Sequence, residues 1–164
     1  MKAGDLGRLV LRGIVGGTMI AHGVKHGRTL EGTARWFGSI GFRRPELQAR
    51  ASAVVEIGSG AALVAGAATP LAASAIVGTL AVAARSVHLR NGFFITAEGY
   101  EYVLNLATAA AAVAALGPGT LSLDRVLGVD EKLSPAKRTA LAVGLGLLGA
   151  AAQLAAFYRE PQKS

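Results

Sequence analysis

Residues 139–158 have the sequence TALAVGLGLLGAAAQLAAFY, an apolar run without a charged side chain. A bilayer core about 30 Å thick is crossed by a helix of roughly 17 to 25 apolar residues, so this run predicts a membrane-spanning helix. The rest of the 164-residue chain is similar, with 52% hydrophobic and 16% charged residues and a mean hydropathy of +0.44. The alternation typical of a β-barrel is absent, so we predict an all-α integral membrane helical bundle.

Four further apolar runs precede this one, and they leave no room for a separate catalytic domain. We predict five spanning helices, at about 9–24, 47–68, 71–87, 100–116 and 139–158. Trp36, Phe37 and Phe42 are mixed with charged residues and glycines, which is typical of an interfacial helix at about 29–42. We therefore divide the chain into a four-helix core, 1–128, and a second part, 129–164, made of a linker, the fifth helix and a short solvated tail from 159.

Prolines and capping residues indicate where several helices begin. Pro45 suits the first turn of the second span, and Ser134 followed by Pro135 predicts the start of another helix. Thr69 and Pro70 join the second and third spans without spare residues, so we expect a tight hairpin there. Either Ser122 or Asp124 could cap a short surface helix.

The basic residues separate apolar runs instead of covering one folded face. The formal charge of +7 therefore indicates membrane topology and contacts with anionic lipids, not nucleic-acid binding. Arg12 interrupts the first run, and we expect its side chain to snorkel to the headgroups. Gly13 and Gly17 form a GxxxG motif, which is typical of close helix contacts but also occurs wherever glycine is abundant. The absence of cysteine excludes disulfides and thiolate-held metal centres within this chain.

The segment RSVHLRNGFFITAEGYEY, Arg85 to Tyr102, is polar, aromatic and charged between two apolar runs. Its side chains need partners at the membrane surface or in a cavity between helices. Glu56 lies about nine residues inside the second span, where a carboxylate costs about 3 kcal/mol to insert. We therefore expect Glu56 to face the bundle, where it could accept a proton, pair with a cation or make a structural hydrogen bond between helices.

The alternating direction of successive spans brings many polar residues to one side of the membrane. All three histidines of the chain fall there, with Glu56 below them. Lysine and arginine are somewhat more numerous on this side, which favours a cytoplasmic location for it in the plasma (inner) membrane. The candidate site residues are His22, Lys25, His26, Glu56, Arg85, His88, Arg90, Asn91, Glu98, Tyr100, Glu101 and Tyr102.

Several of these motifs resemble those of the DoxX family of small membrane proteins. They are AHGVKHG at 21–27, Glu56 followed by Gly58, HLRNGFF at 88–94, EGYEY at 98–102 and LGPGTLSLD at 116–124. Members of that family usually have four helices, so the fifth helix here is a departure. The resemblance implies a membrane subunit of a respiratory-type redox complex that can contact a quinone, menaquinone or ubiquinone. It does not imply that this chain carries out the redox step, and we expect no catalytic residue in it.

We consider a quinone pocket first. His22, His88, Tyr100 and Tyr102 could donate hydrogen bonds to the headgroup, and Glu56 or Glu101 could relay protons. The lipid bilayer and the other subunits of a redox complex are the expected partners, and a homo-oligomer is a further option.

Three alternatives stay open at this stage. In a purely structural subunit, Arg85 or Arg90 would form salt bridges with Glu98 or Glu101. Haem ligation by His22 or His26 opposite His88 is less favoured, because histidines at helix ends are usually hydrogen-bonded or solvated. A small-solute transporter would need several copies of the chain, and we expect no metal ion in this chain.

Overall fold

The computed structural model describes residues 3–129 and 132–161. This part of the chain forms seven α-helices: α1 Ala3–Arg28, α2 Leu30–Ser39, α3 Pro45–Ala65, α4 Thr69–Ala83, α5 Glu101–Leu116, α6 Leu123–Val126 and α7 Pro135–Phe157. A π-helical turn, Ala84–His88, and a 3₁₀ turn, Leu89–Asn91, extend α4. Within the described ranges the one β-type pairing is an isolated bridge between Phe42 and Tyr158. The predicted all-α class is confirmed.

Two helical segments are long and apolar enough to cross a membrane, Thr69–Asn91 and Pro135–Phe157. Glu101–Leu116 is apolar but shorter. Helix α1 has 26 residues and α3 has 21, but both contain charged residues. The number of spans therefore stays a prediction at five, and the division into 1–128 and 129–164 also stays a prediction.

The predicted helix starts agree with the structure. Pro45 and Pro135 lie in the first turn of their helices, where the missing N–H has no helical partner to lose. Thr69 and Pro70, predicted to join two spans, instead begin α4. Ser134 caps α7 by accepting a hydrogen bond from the Lys137 amide. Gly66 ends α3 at a φ of 64°, a left-handed conformation that glycine adopts without strain.

Glycines bring the backbones of α1 and α3 into contact, although they are not the glycines that the motif indicated. A Cβ atom added at Gly16 would lie 2.5 Å from the Gly60 carbonyl oxygen. One added at Gly13 or Gly17 would meet nothing within 4 Å. The GxxxG motif therefore does not form this contact, because it lies on another side of α1.

One end of the bundle, which we call the arginine end, is held together by guanidinium groups on carbonyl oxygens. Arg12 is 2% exposed, and it donates to the carbonyls of Leu63 at 2.9 Å and Pro118 at 2.6 Å. The prediction that Arg12 snorkels to the headgroups is therefore wrong. The last carbonyls of a helix lack helical partners, and Arg12 supplies donors to the end of α3. In the same way, Arg8 and Arg138 donate to the end of α5, at Leu116, Ala114 and Ala115.

The two residues considered as caps for a short helix have separate roles. Ser122 caps α6 by accepting from the Arg125 amide at 3.2 Å. Asp124 is buried and instead accepts from the amides of Ala68 and Thr69, at 2.7 and 2.9 Å. Asp124 therefore fixes the start of α4, where a carboxylate is also favoured by the helix dipole.

Residues 159–161 of the tail after α7 are exposed as predicted, and this part is also attached to the bundle. The Arg159 amide donates to the Gly41 carbonyl at 2.9 Å, and the Arg43 amide donates to that of Phe157 at 2.7 Å. Arg85 pairs with Glu160 at 2.9 Å. The last tail residues, 162–164, lie outside the described part of the chain. These bonds hold the end of α7 against the loop between α2 and α3.

Candidate functional site

At the other end, which we call the histidine end, a cavity of about 360 Å³ lies between α2, α3, α4 and α7. Most of its lining is apolar, and Trp36, Phe37 and Phe42 form one wall. The polar side chains that line it are His26, Gln48, Ser52, Glu56, Thr79, Ser86, His88 and Gln153. A concave, mainly apolar space with a few convergent polar groups is typical of a small-molecule site.

Glu56 is the most deeply buried ionisable group of the cavity, at 4% exposure. The Ser52 hydroxyl, one helical turn earlier, donates to Glu56 Oε1 at 2.6 Å. Glu56 Oε2 is buried and has no hydrogen-bond partner within the described residues. Buried polar atoms are rarely left without a partner, so Oε2 is the atom that most needs a ligand or a water molecule.

His26 approaches the same carboxylate from α1. Its Nδ1 lies 2.8 Å from Ser52 Oγ and 3.4 Å from Glu56 Oε1. Because the single Ser52 hydrogen is directed to Glu56, His26 Nδ1 carries a proton and donates to Ser52. The three side chains therefore form one continuous hydrogen-bonded chain.

Gly23 allows α1 to come this close to α3. A Cβ atom there would lie 2.9 Å from the Ala53 carbonyl oxygen and 2.9 Å from Glu56 Cβ. Any larger residue would separate the two helices beside the carboxylate. The sequence reading did not single out Gly23, because its role depends on which face of α1 meets α3.

The π-helical turn Ala84–His88 brings His88 to the cavity. π-Turns are rare and occur frequently at functional sites. The His88 Nδ1–H donates to the Glu98 carbonyl at 2.7 Å, because a carbonyl oxygen can only accept. Asn91 Nδ2 donates to the same oxygen at 3.3 Å. Glu98 thus acts through its backbone, and the second nitrogen of His88, Nε2, is left for another partner.

The other candidate residues lie at the histidine end but outside the cavity lining. His22 is exposed and stacks on Tyr102, with ring centroids 6.4 Å apart. Lys25 and Arg90 are exposed. Tyr100 packs edge-on against Phe93, and Glu101 accepts from the Ile95 amide at 3.0 Å. Of the twelve predicted site residues, the cavity therefore brings together His26, Glu56 and His88.

The salt bridges expected within the polar segment are not those that the structure contains. Arg85 pairs with Glu160 from the tail, and its guanidinium lies 5.6 Å from the centre of the Tyr158 ring. Arg90 donates to the Val87 carbonyl. The predicted pairing of Arg85 with Glu98 or Glu101 was wrong. The Glu98 carbonyl and the Glu101 carboxylate accept hydrogen bonds within the loop, and the tail after α7 brings Glu160 to Arg85.

Helix α7 supplies a wall of the cavity that was not predicted. Gln153 Nε2 donates to Gln48 Oε1 on α3 at 2.8 Å, and Phe157 also lines the cavity. Gln153 is the one amide side chain in the run 139–158. A lone amide in an apolar run could have indicated a contact between helices. In the same way, the position of Ser52 one turn before Glu56 could have indicated a hydrogen bond to its carboxylate. Within the described ranges, no group of three or more His, Cys, Asp or Glu side chains could hold a metal ion.

Comparison with known proteins gives a family match and one named relative. The family model described as DoxX matches residues 7–89. The protein named "Putative oxidoreductase CatD" from Bacillus subtilis (strain 168) is 34% identical over 105 residues, which cover 64% of this chain and 76% of that protein. No solved structure matches significantly. The family match includes His26, Ser52, Glu56 and His88, whereas α7 lies beyond it.

Proposed function

Because the chain belongs to the DoxX family, we propose that it is a multi-pass subunit of a redox complex in the plasma membrane and that its cavity binds a quinone headgroup. The five spans would be α1, α3, α4, α5 and α7, with α2 at the interface. Two segments of membrane-spanning length support this placement. The relative named as an oxidoreductase supports the redox role.

The cavity fits a quinone in size and chemistry. Ligand pockets usually have volumes of about 300 to 1,000 Å³, and this one measures about 360 Å³. A quinone supplies the transfer of electrons and protons, whereas the chain supplies groups that hold its two oxygens. Glu56 Oε2 can accept from a quinol hydroxyl, or donate to a quinone carbonyl when protonated. His88 Nδ1–H is already bound to the Glu98 carbonyl. Nε2 can therefore accept from a quinol hydroxyl when the ring is neutral, or donate to a quinone carbonyl when the ring is protonated.

The cavity also has an opening suited to an apolar tail. Leu47 and Val55 line it from α3 and are 48% and 41% exposed. Helices α3 and α7 are bridged across the cavity by the hydrogen bond between Gln48 and Gln153. In a bilayer the exposed apolar edge would face lipid, so a tail can extend from the cavity past Leu47 and Val55. A site with this opening selects a headgroup attached to an apolar chain.

The proposal rests on the buried Glu56 Oε2, which has no protein partner among the described residues yet lines the cavity. A buried polar atom left unpaired costs about 1 to 3 kcal/mol, and more if it is charged. A ligand donor at this oxygen would recover that free energy.

Trp36 provides a direct assay, because it is the single tryptophan of the chain and it lines the cavity. The full chain would be placed in lipid nanodiscs and titrated with a short-chain ubiquinone or menaquinone. We expect saturable quenching of Trp36 fluorescence. Glu56→Leu should weaken binding by about tenfold or more, since loss of one such hydrogen bond costs about 1.4 kcal/mol or more.

Glu46→Leu is the matched control, because Glu46 lies on the same helix but is exposed and outside the cavity lining. We expect the wild-type binding constant for this variant. Quenching that rises linearly with quinone, and equally in all three proteins, would reflect quinone dissolved in lipid and would refute the cavity as a quinone site.

A further inference from the structure

The hydrogen-bonded chain at Glu56 runs along the cavity lining from α3 to His26 on α1, whose side chain is more exposed than that of Glu56. The Glu56 side chain is 6% exposed, whereas that of His26 is 20% exposed. Ser52 lies between them, 2.6 Å from Glu56 Oε1 and 2.8 Å from His26 Nδ1. We propose that His26 and Ser52 form the path by which the Glu56 carboxyl exchanges its proton with water. This inference deepens the proposed function by assigning its proton supply, but the path operates whether or not a quinone is bound.

The transfer can be written with every proton assigned. A hydronium ion protonates His26 at Nε2 and becomes water, and the Nδ1 proton of the same ring moves to Ser52 Oγ. At the same time the Ser52 hydrogen moves to Glu56 Oε1. The carboxylate becomes a carboxylic acid and the imidazole is neutral again, now with its hydrogen on Nε2. After the transfer, Glu56 donates to Ser52 and Ser52 donates to His26 Nδ1, so all three groups stay paired. Reversal of these steps returns the proton to water, whereas rotation of the carboxyl group about its Cγ–Cδ bond would turn the O–H from Ser52 toward the side on which Oε2 lies.

The serine is necessary because the direct route is longer. His26 Nδ1 lies 3.4 Å from Glu56 Oε1, beyond the usual hydrogen-bond distance of about 2.7 to 3.2 Å. Each of the two steps through Ser52 falls within hydrogen-bonding range. The other titratable side chain that lines the cavity is His88, from the π-turn, and its Nδ1 is bound to the Glu98 carbonyl. Neither α2 nor α7 adds a titratable group to the lining.

The path can be tested by infrared spectroscopy on the full chain in quinone-free nanodiscs. The carboxylic C=O band that disappears in Glu56→Gln belongs to Glu56. A downward pH jump would then be applied, and the rate at which this band appears would be measured. We expect Ser52→Ala to slow that rate by at least about tenfold, equivalent to about 1.4 kcal/mol in the barrier. Ser52→Thr keeps a hydroxyl and should restore most of the rate.

Ser59→Ala is the matched control, because Ser59 is also a buried serine of α3 but its hydroxyl has no hydrogen-bond partner in the described chain. We expect it to protonate at the wild-type rate. His26→Ala should be slow and should recover when imidazole is added to the buffer, whereas His22→Ala should not change the rate.

An unchanged rate in both Ser52→Ala and His26→Ala would show that water reaches Glu56 through the cavity, and would overturn the path. Equal slowing by Ser52→Ala and Ser59→Ala would mean that the rate reports general packing, which also overturns it. Neither result bears on quinone binding, which the Trp36 titration measures separately.

Discussion

Replacement of Arg12 by methionine should lower the free energy of unfolding by at least about 2 kcal/mol. The guanidinium donates to the carbonyls of Leu63, Val64, Pro118 and Leu121, and methionine fills the volume of the stem but donates nothing. Leu63 keeps a bond from the Gly66 amide at 3.1 Å, so the other three carbonyls lose the one donor that the described residues give them. Each unsatisfied buried carbonyl costs about 1 to 3 kcal/mol, and our lower bound allows one of the three to reach water.

The assay is reversible unfolding in mixed micelles, followed by far-ultraviolet circular dichroism. Arg35→Met is the matched control, because the Arg35 side chain is 76% exposed, and we expect a change within about 0.5 kcal/mol. Arg12→Lys keeps the charge but not the planar fork of donors, so it should fall between the methionine variant and wild type.

The snorkelling interpretation of Arg12 makes the opposite prediction. A guanidinium among lipid headgroups would contribute little to stability, so Arg12→Met and Arg35→Met would unfold at the same denaturant concentration as wild type. That result would show that the arginine end is not held by these bonds.

Two smaller predictions concern helix contact and the tail. Gly23→Ala should destabilise the bundle by about 1 to 3 kcal/mol, because its Cβ would lie 2.9 Å from the Ala53 carbonyl. Gly13→Ala meets nothing within 4 Å and should be neutral or slightly stabilising in the same unfolding assay. Arg85 and Glu160 should couple by less than about 1 kcal/mol in a double-mutant cycle, because their side chains are 48% and 59% exposed. A larger coupling would mean that lipid or another chain covers the pair.

The apolar runs were sufficient to predict the helices, because a spanning helix is specified by local composition. The run 139–158 corresponds to α7, and the proline and serine signals gave the starts of α3 and α7. Glu56 was also identified from its local sequence alone. A carboxylate inside an apolar run has to face the protein, wherever its partners come from.

The contacts that depend on helix rotation and distant pairing could not be predicted in this way. Arg12 looked like a headgroup ligand because its acceptors are carbonyls more than 50 positions away. The glycines of α1 that meet α3 could not be identified because the face that meets α3 is set by the packed bundle. The set of twelve candidate site residues was too broad for the same reason. The sequence placed them at the histidine end, but it did not show which of them line the cavity and which belong to the loop beside it.

The network at the arginine end has a mechanical consequence. Arg12, Asp124 and Arg138 fasten the ends of α3, α4 and α5 there, whereas across the cavity α3 and α7 are bridged by the hydrogen bond between Gln48 and Gln153. The histidine end is tied as well, because the Arg43 amide donates to the Phe157 carbonyl and the Arg159 amide donates to the Gly41 carbonyl. Between these two tied ends, replacement of the hydrogen bond between Gln48 and Gln153 by a ligand would widen the cavity without loosening either end of the bundle.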